Sequence, residues 1–205
     1  MSRPRRIGLF GGTFDPPHLA HLALARVARD ALALDELRWI PAGQPWQKSG
    51  RRLAPGEHRA AMVRALVGAE PGFVVDTREL GRPGPSYTMD TVREIAHEVP
   101  GAELYLVIGQ DQYARLDTWH EWASLLAAVT LAVAGREGRP PAPPPALAAR
   151  AHRVQALPLP AMRISSTAAR EAIAQGLPAA DLVGPDVARY IAHHHLYAEE
   201  DAAAH

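Results

Sequence analysis

Short, mainly apolar runs alternate along this 205-residue chain with stretches of helical periodicity, and that alternation limits the fold more than any other feature. The runs Ile7–Phe10, Leu37–Ile40, Phe73–Val75, Leu104–Ile108, Val129–Ala134 and Val154–Leu157 have the length and continuity of strands buried on both faces. Between and after them, Leu19–Ala33, Glu57–Val67, Met89–Glu98, Trp119–Ala127, Ala168–Gln175 and Val187–His194 space apolar residues by three and four, as at Leu22, Ala25 and Ala28. The pattern predicts an α/β fold: a parallel sheet with helices on both faces, built as one domain over residues 1–205. Residues 164–198 read as a helical C-terminal part and 199–205 as a frayed tail. The proline-rich Arg139–Ala146 cannot be a helix or a central strand and reads as a surface loop, with a domain linker as the rival.

Composition narrows the partners. Lys plus Arg equals Asp plus Glu at 22 each, so no global field recruits nucleic acid or an anionic membrane, and any anion site must be built locally. Cysteine is absent, which removes disulfides, thiolate metal sites and cysteine nucleophiles. The first apolar run is too short for a signal sequence, and no run approaches a membrane span, so the chain is expected to be cytoplasmic. A homo-oligomer is compatible with the sequence, which does not specify one. Lys48 is the only lysine.

The chemistry concentrates where the first predicted strand meets the first predicted helix, in Gly11-Gly12-Thr13-Phe14-Asp15-Pro16-Pro17-His18-Leu19-Ala20-His21. Ligands of open α/β sheets bind at the carboxyl ends of strands. Two glycines let backbone approach a ligand, Asp15 is expected to cap the helix, and Pro16–Pro17 suit its first turn. His18 then falls in that turn, and His21, three residues on, shares its face beside the positive helix end. Three readings compete for the pair: ordinary packing, a zinc site, or donors to an anion. Zinc would need a third ligand, and the usual i, i+4 spacing is missing. Backbone amides and two imidazoles around a phosphate fit the surroundings best. Neither G-x-G-x-x-G nor G-x-x-x-x-G-K-[ST] occurs.

GGTFDPPHLAH resembles the first signature of the H-x-G-H nucleotidyltransferases, with Ala20 in place of the tetrad's glycine. Near the other end, Ile164-Ser165-Ser166-Thr167-Ala168-Ala169-Arg170 is an N-cap signal on its own terms. It is also similar to the I-S-S-T-x-x-R element that holds the triphosphate in that group. The resemblance implies a Rossmann-like sheet, ATP as substrate and Mg²⁺ as its companion. It assigns His18, His21, Lys48 and Arg170 to catalysis. Gly11, Gly12, Thr13, Phe14, Ser165, Ser166 and Thr167 would bind the nucleotide.

Smaller elements resemble bacterial nicotinate mononucleotide adenylyltransferases. Pro85-Ser86-Tyr87-Thr88-Met89-Asp90-Thr91 looks like their S-Y-T-x-D-T element at a helix start, where free N–H groups suit a ring carboxylate. Ile108-Gly109-Gln110-Asp111, followed by Leu116 and Trp119, resembles I-G-x-D-x(4)-L-x(2)-W. By that resemblance Gly109 and Asp111 hold the adenosine ribose, Trp119 stacks on the pyridine ring, and Tyr87 and Thr88 bind the acceptor, nicotinate mononucleotide. Pro45–Lys48 stands where the family has P-P-H-K, although Trp46 and Gln47 depart from it. Arg136 fits a basic substrate-binding residue beyond the fifth strand, and a solvated surface arginine equally well. Asp186–Tyr197 resembles the closing helix, with His193–His195 pointing three ways around its end and so unable to converge on one ion. No metal ligands are assigned. Nicotinamide mononucleotide or phosphopantetheine as acceptor is the close alternative, and a nucleotide-binding module without turnover the distant one.

Overall fold

The computed structural model describes residues 3–43, 53–135 and 139–198. Lys48, Arg136 and the predicted tail lie outside the described residues.

In chain order the elements are β1 (Arg6–Gly12), α1 (Leu19–Ala31), β2 (Glu36–Pro41), α2 (Gly56–Val67), β3 (Phe73–Val75), α3 (Thr88–Glu98), β4 (Glu103–Gly109), α4 (Gln110–Tyr113), α5 (Trp122–Ala128), β5 (Thr130–Ala134), α6 (Pro145–Ala148), β6 (Val154–Leu157), α7 (Ser166–Ala174), α8 (Ala180–Val183) and α9 (Pro185–His193). The six strands form one sheet in the order β3-β2-β1-β4-β5-β6, every neighbouring pair parallel. The chain winds outward from β1 in one direction and resumes from β4 in the other. The crevice at this switch lies beyond Gly12 and Gly109, the carboxyl ends of the two central strands.

Successive strand residues point to opposite faces, and the apolar runs sort accordingly. Leu104, Leu106 and Ile108 of β4 join Leu131 and Val133 of β5 under α3 and α5, where Val92, Ile95 and Leu125 complete one core. Tyr105, Val107, Ala132 and Ala134 face the other way, against Ala25 and Ala28 of α1, Met62 and Val63 of α2, and Val187 and Ile191 of α9. Two apolar layers explain why the strands read as continuous rather than alternating.

Most element ends shift by one or two residues from expectation, and two differences have a specific cause. Leu116–Thr118 is a turn of 3₁₀ helix and Glu121 sits at φ 50°, so α5 starts at Trp122 and Trp119 precedes it. The proline-rich segment is helix-free only as far as Pro144, because Pro145 opens α6 at a first-turn position that needs no N–H partner.

Candidate active site

Two glycines end β1 for different reasons. A Cβ on Gly12 would meet the Phe14 ring at 2.9 Å, whereas one on Gly11 would, among the described residues, meet open space within 4 Å. Phe14 itself holds φ 50°, a left-handed backbone that bulky residues avoid. Its ring fixes it there. It is buried edge-on against Phe10 (5.5 Å), with Trp39 at 5.4 Å and His21 at 5.2 Å.

Asp15 does not cap α1, contrary to expectation. Its carboxylate accepts the Tyr197 hydroxyl at 2.7 Å and the Ala54 N–H at 3.2 Å, which leaves the cap to His18. His18 therefore precedes the helix instead of lying in its first turn. The two histidines form a reciprocal box: the His21 N–H donates to His18 Nδ1 (3.4 Å), and the His18 N–H donates to His21 Nδ1 (3.2 Å). The rings stack 3.6 Å apart at 19°.

This box decides the protonation chemistry. An Nδ1 that accepts a backbone N–H carries no proton, so each neutral ring bears its hydrogen on Nε2 as a donor. Burial reinforces the neutral state by pushing His18 down to about 4. His18 is thus preset to donate a hydrogen bond from Nε2 and not to take a proton.

The second segment meets the first. Ser165 caps α7 by accepting the Ala168 N–H at 3.1 Å. The Ser166 hydroxyl donates to the Pro16 carbonyl at 2.9 Å, and Arg170 Nη1 donates to the Asp15 carbonyl at 2.6 Å. Nη2 of the same fork reaches Thr167 Oγ1 at 3.1 Å. Residues about 150 apart in sequence thereby meet, with the α7 start beside the histidine turn. Ser166 is committed to joining the two segments, while the hydroxyls of Ser165 and Thr167 lie on the exposed side.

On the other flank, Tyr87 stands at the N-cap of α3 and Thr88 opens the helix, with no side chain capping its amides. Behind them the buried Thr91 hydroxyl donates to Glu79 Oε1 at 2.7 Å, and Arg82 donates to Thr91 Oγ1 at 3.3 Å. Burial raises the Glu79 carboxyl above the usual range. Gly43 packs so closely here that a Cβ would come within 2.1 Å of the Glu79 carbonyl. The Tyr87 ring lies 4.3 Å from that of His120, the neighbour of Trp119, and Trp119 leans half-buried on the second core. Gly109 and Asp111 lie where β4 turns into α4, across the crevice from β1.

A cavity of about 580 Å³ opens between α2 and the turn at Thr77–Arg82, lined by Gly43, Arg59, Arg64 and Arg82. Among the described residues, no sequence-predicted site residue lines it. Among the described residues, no three His, Asp or Glu side chains converge as a metal site, and no helix is long and apolar enough to cross a membrane.

Sequence reasoning missed Arg59, Glu79 and Tyr197. Arg59 did carry a signal: it shares a helical stripe with Met62, Val63 and Leu66, a cation where the periodicity calls for an apolar side chain. Tyr197 carried none, since its partner is 182 residues away.

Residues 9–172 match the family described as cytidylyltransferase-like. A probable nicotinate-nucleotide adenylyltransferase of Methylibium petroleiphilum is 57% identical over 202 residues, 96% of this chain and 94% of that protein. One from Bordetella petrii is 45% identical over 197 residues, 94% and 99% of the two chains. The fold is similar to that of Plasmodium falciparum nicotinic acid mononucleotide adenylyltransferase, solved in complex with NaAD, at a TM-score of 0.77 over 94% of this chain and 97% of that one, with 17% identity. At that identity the likeness speaks for the fold alone. The family match over most of the chain, and relatives aligned along nearly their full length, place this protein in the cytidylyltransferase-like family, in its nicotinate-nucleotide adenylyltransferase branch.

Proposed function

We infer that this chain transfers the adenylyl group of ATP to the 5′-phosphate of nicotinate mononucleotide, releasing pyrophosphate and forming nicotinate adenine dinucleotide for NAD biosynthesis. The observation that carries the reading is the junction of the two phosphate-facing segments through Ser166 with Pro16 and Arg170 with Asp15. One triphosphate reaches both walls of such a site.

The attacking phosphate has a second pKa near ~6 and is already largely dianionic at neutral pH, so no general base is required. The work left to the protein is to align two anions that repel and to offset charge as it develops on the leaving pyrophosphate. His18 and His21, each accepting a backbone N–H at Nδ1, donate from Nε2 to phosphate oxygens. Backbone amides of Gly11–Phe14 and the α7 start, with the hydroxyls of Ser165 and Thr167, hold the chain of phosphates, and Ser166 keeps that wall in place. Lys48 and Arg170 supply positive charge. Gly109 and Asp111 take the adenosine ribose; Tyr87 and Thr88, at uncapped amides of α3, receive the nicotinate carboxylate; Trp119 stacks on its ring, and Arg136 adds a basic contact. The described donor set is imidazole, hydroxyl, guanidinium and amide, which suits phosphate oxygens better than a divalent ion. Any Mg²⁺ would therefore be held chiefly through the phosphates that these residues bind, and would supply charge neutralisation there. The reaction belongs to the cytoplasm, where a cysteine-free chain loses nothing to the reducing conditions.

The test is pyrophosphate release with ATP, Mg²⁺ and a panel of acceptors. Nicotinate mononucleotide is expected to be preferred. Preference for nicotinamide mononucleotide or phosphopantetheine would overturn the acceptor assignment, and ATP binding without turnover would overturn the enzyme.

A further inference from the structure

A buried cation that the proposed chemistry leaves unused reaches into the turn that performs it. Arg59 of α2 is 2% exposed. Its Nη1 donates to the Thr13 carbonyl at 2.8 Å, its Nε to the Ala54 carbonyl at 3.0 Å and its Nη2 to the Gly43 carbonyl at 3.3 Å. Three separate chain segments converge on one guanidinium. Burial pushes its pKa below the usual guanidinium range, and only the nearby Asp15 and Tyr197 oppose that shift. An apolar side chain would fill the same stripe of α2 without burying charge, so packing alone does not call for an arginine.

The Thr13 bond has a geometric consequence. The Thr13–Phe14 peptide is planar and trans, so directing its carbonyl at Arg59 turns the Phe14 N–H the opposite way. Among the described residues, no acceptor takes that N–H. Neighbouring carbonyls are occupied in the same manner: Gly12 accepts the Ala42 N–H (2.8 Å), Asp15 accepts Arg170 and Pro16 accepts Ser166. Carbonyl oxygens facing a polyphosphate would repel it; these are turned to donors, and amide hydrogens are left for the ligand.

We propose that Arg59 is a positioning residue for adenylyl transfer, holding the Thr13 carbonyl so that the Phe14 N–H is presented to the polyphosphate of ATP. The proposal rests on the function inferred above and adds a residue that makes no contact with substrate.

The experiment compares wild type with Arg59→Met, Arg59→Lys and a packing control, Met62→Ala, which is fully buried on the same helix. Affinity for an ATP analogue with a methylene α,β-bridge is measured by calorimetry, together with KM for both substrates and the melting temperature. Arg59→Met is expected to weaken the analogue about tenfold, the worth of one charge-assisted hydrogen bond, while KM for the mononucleotide holds. Arg59→Lys should recover part of that loss, and Met62→Ala should melt earlier yet bind the analogue normally. Normal affinity in both Arg59 variants would overturn the proposal, as would an equal loss in Met62→Ala. Should the Arg59 variants fail to fold, the wild-type Phe14 amide resonance decides: a shift and slowed exchange on adding the analogue support the role, and an unmoved resonance removes it. Wild type that neither binds the analogue nor releases pyrophosphate overturns the function reading itself. Normal turnover with an unmoved Phe14 amide overturns only the role of Arg59.

Discussion

Replacing His18 with asparagine separates the two tasks this imidazole performs. His18 caps α1 through Nδ1, which leaves Nε2–H as the ring's donor, proposed to meet phosphate. Asparagine is among the best N-cap residues, and its carbonyl oxygen can take over the bond from the His21 N–H, so helix stability should change by less than about 1 kcal/mol. In a chain of this length that is a melting shift of roughly 2–4 °C or less. The ring donor, however, is gone. Loss of one preorganised donor to charge that develops in the transition state typically lowers kcat by about a hundredfold or more, close to 3 kcal/mol in the barrier. His18→Ala should show the same kinetic loss and, lacking any cap, an added ~1 kcal/mol of instability. Pyrophosphate release at saturating substrates, paired with thermal melts, reads both effects. An asparagine variant whose kcat stays within about threefold of wild type would refute the donor role, since no preorganised donor of this kind is worth so little.

Three further outcomes follow from the same geometry. Gly11→Ala should leave the fold intact and weaken ATP, because its Cβ meets no described atom within 4 Å at the end of β1 where the phosphates are proposed to sit, whereas Gly12→Ala should destabilise through the Phe14 ring; equal effects on melting would contradict this. His18 binds its proton at about 4 when folded and near 6.5 when unfolded. The unfolded chain is then the better proton acceptor between those values, so stability is complete above pH 6.5 and falls by roughly 3 kcal/mol as pH drops to about 4. Urea unfolding across that window should show a smaller loss in His18→Asn, and an identical slope would refute the assignment. Thr91→Val leaves the buried Glu79 carboxylate without its hydroxyl donor. A cost of about 1–3 kcal/mol and a raised KM for the mononucleotide with KM for ATP unchanged are expected; parallel rises in both constants would count against a local effect on α3.

How much of this was legible beforehand depended on the range of each interaction. β3 and β6 were readable to the residue because each is a short, mainly β-branched or apolar run between breaks in the helical periodicity, although both lie at the edges of the sheet and are only partly covered. The glycines, histidines and serines of the two segments were readable because their chemistry is local, a turn or a helix start. Local reading also produced the error at Asp15, an ordinary cap by propensity whose carboxylate is claimed by Tyr197 from the far end of the chain. Histidine is not a usual cap, and the reciprocal box emerges only once both rings are in space. The late start of α5 turned on Glu121 entering left-handed backbone, which the periodicity of Trp119–Ala127 does not announce. Arg59 could have been suspected from its place on an apolar stripe, but its three carbonyl partners, up to 46 residues away, could not.

The structure of the protein with a non-hydrolysable ATP analogue tests the central claim most directly. It should show one triphosphate touched by Nε2 of His18 or His21 on one side and by Thr167 or Arg170 on the other. A triphosphate that reaches only one of these two walls, or that settles in the cavity beside Arg64 and Arg82, would contradict it.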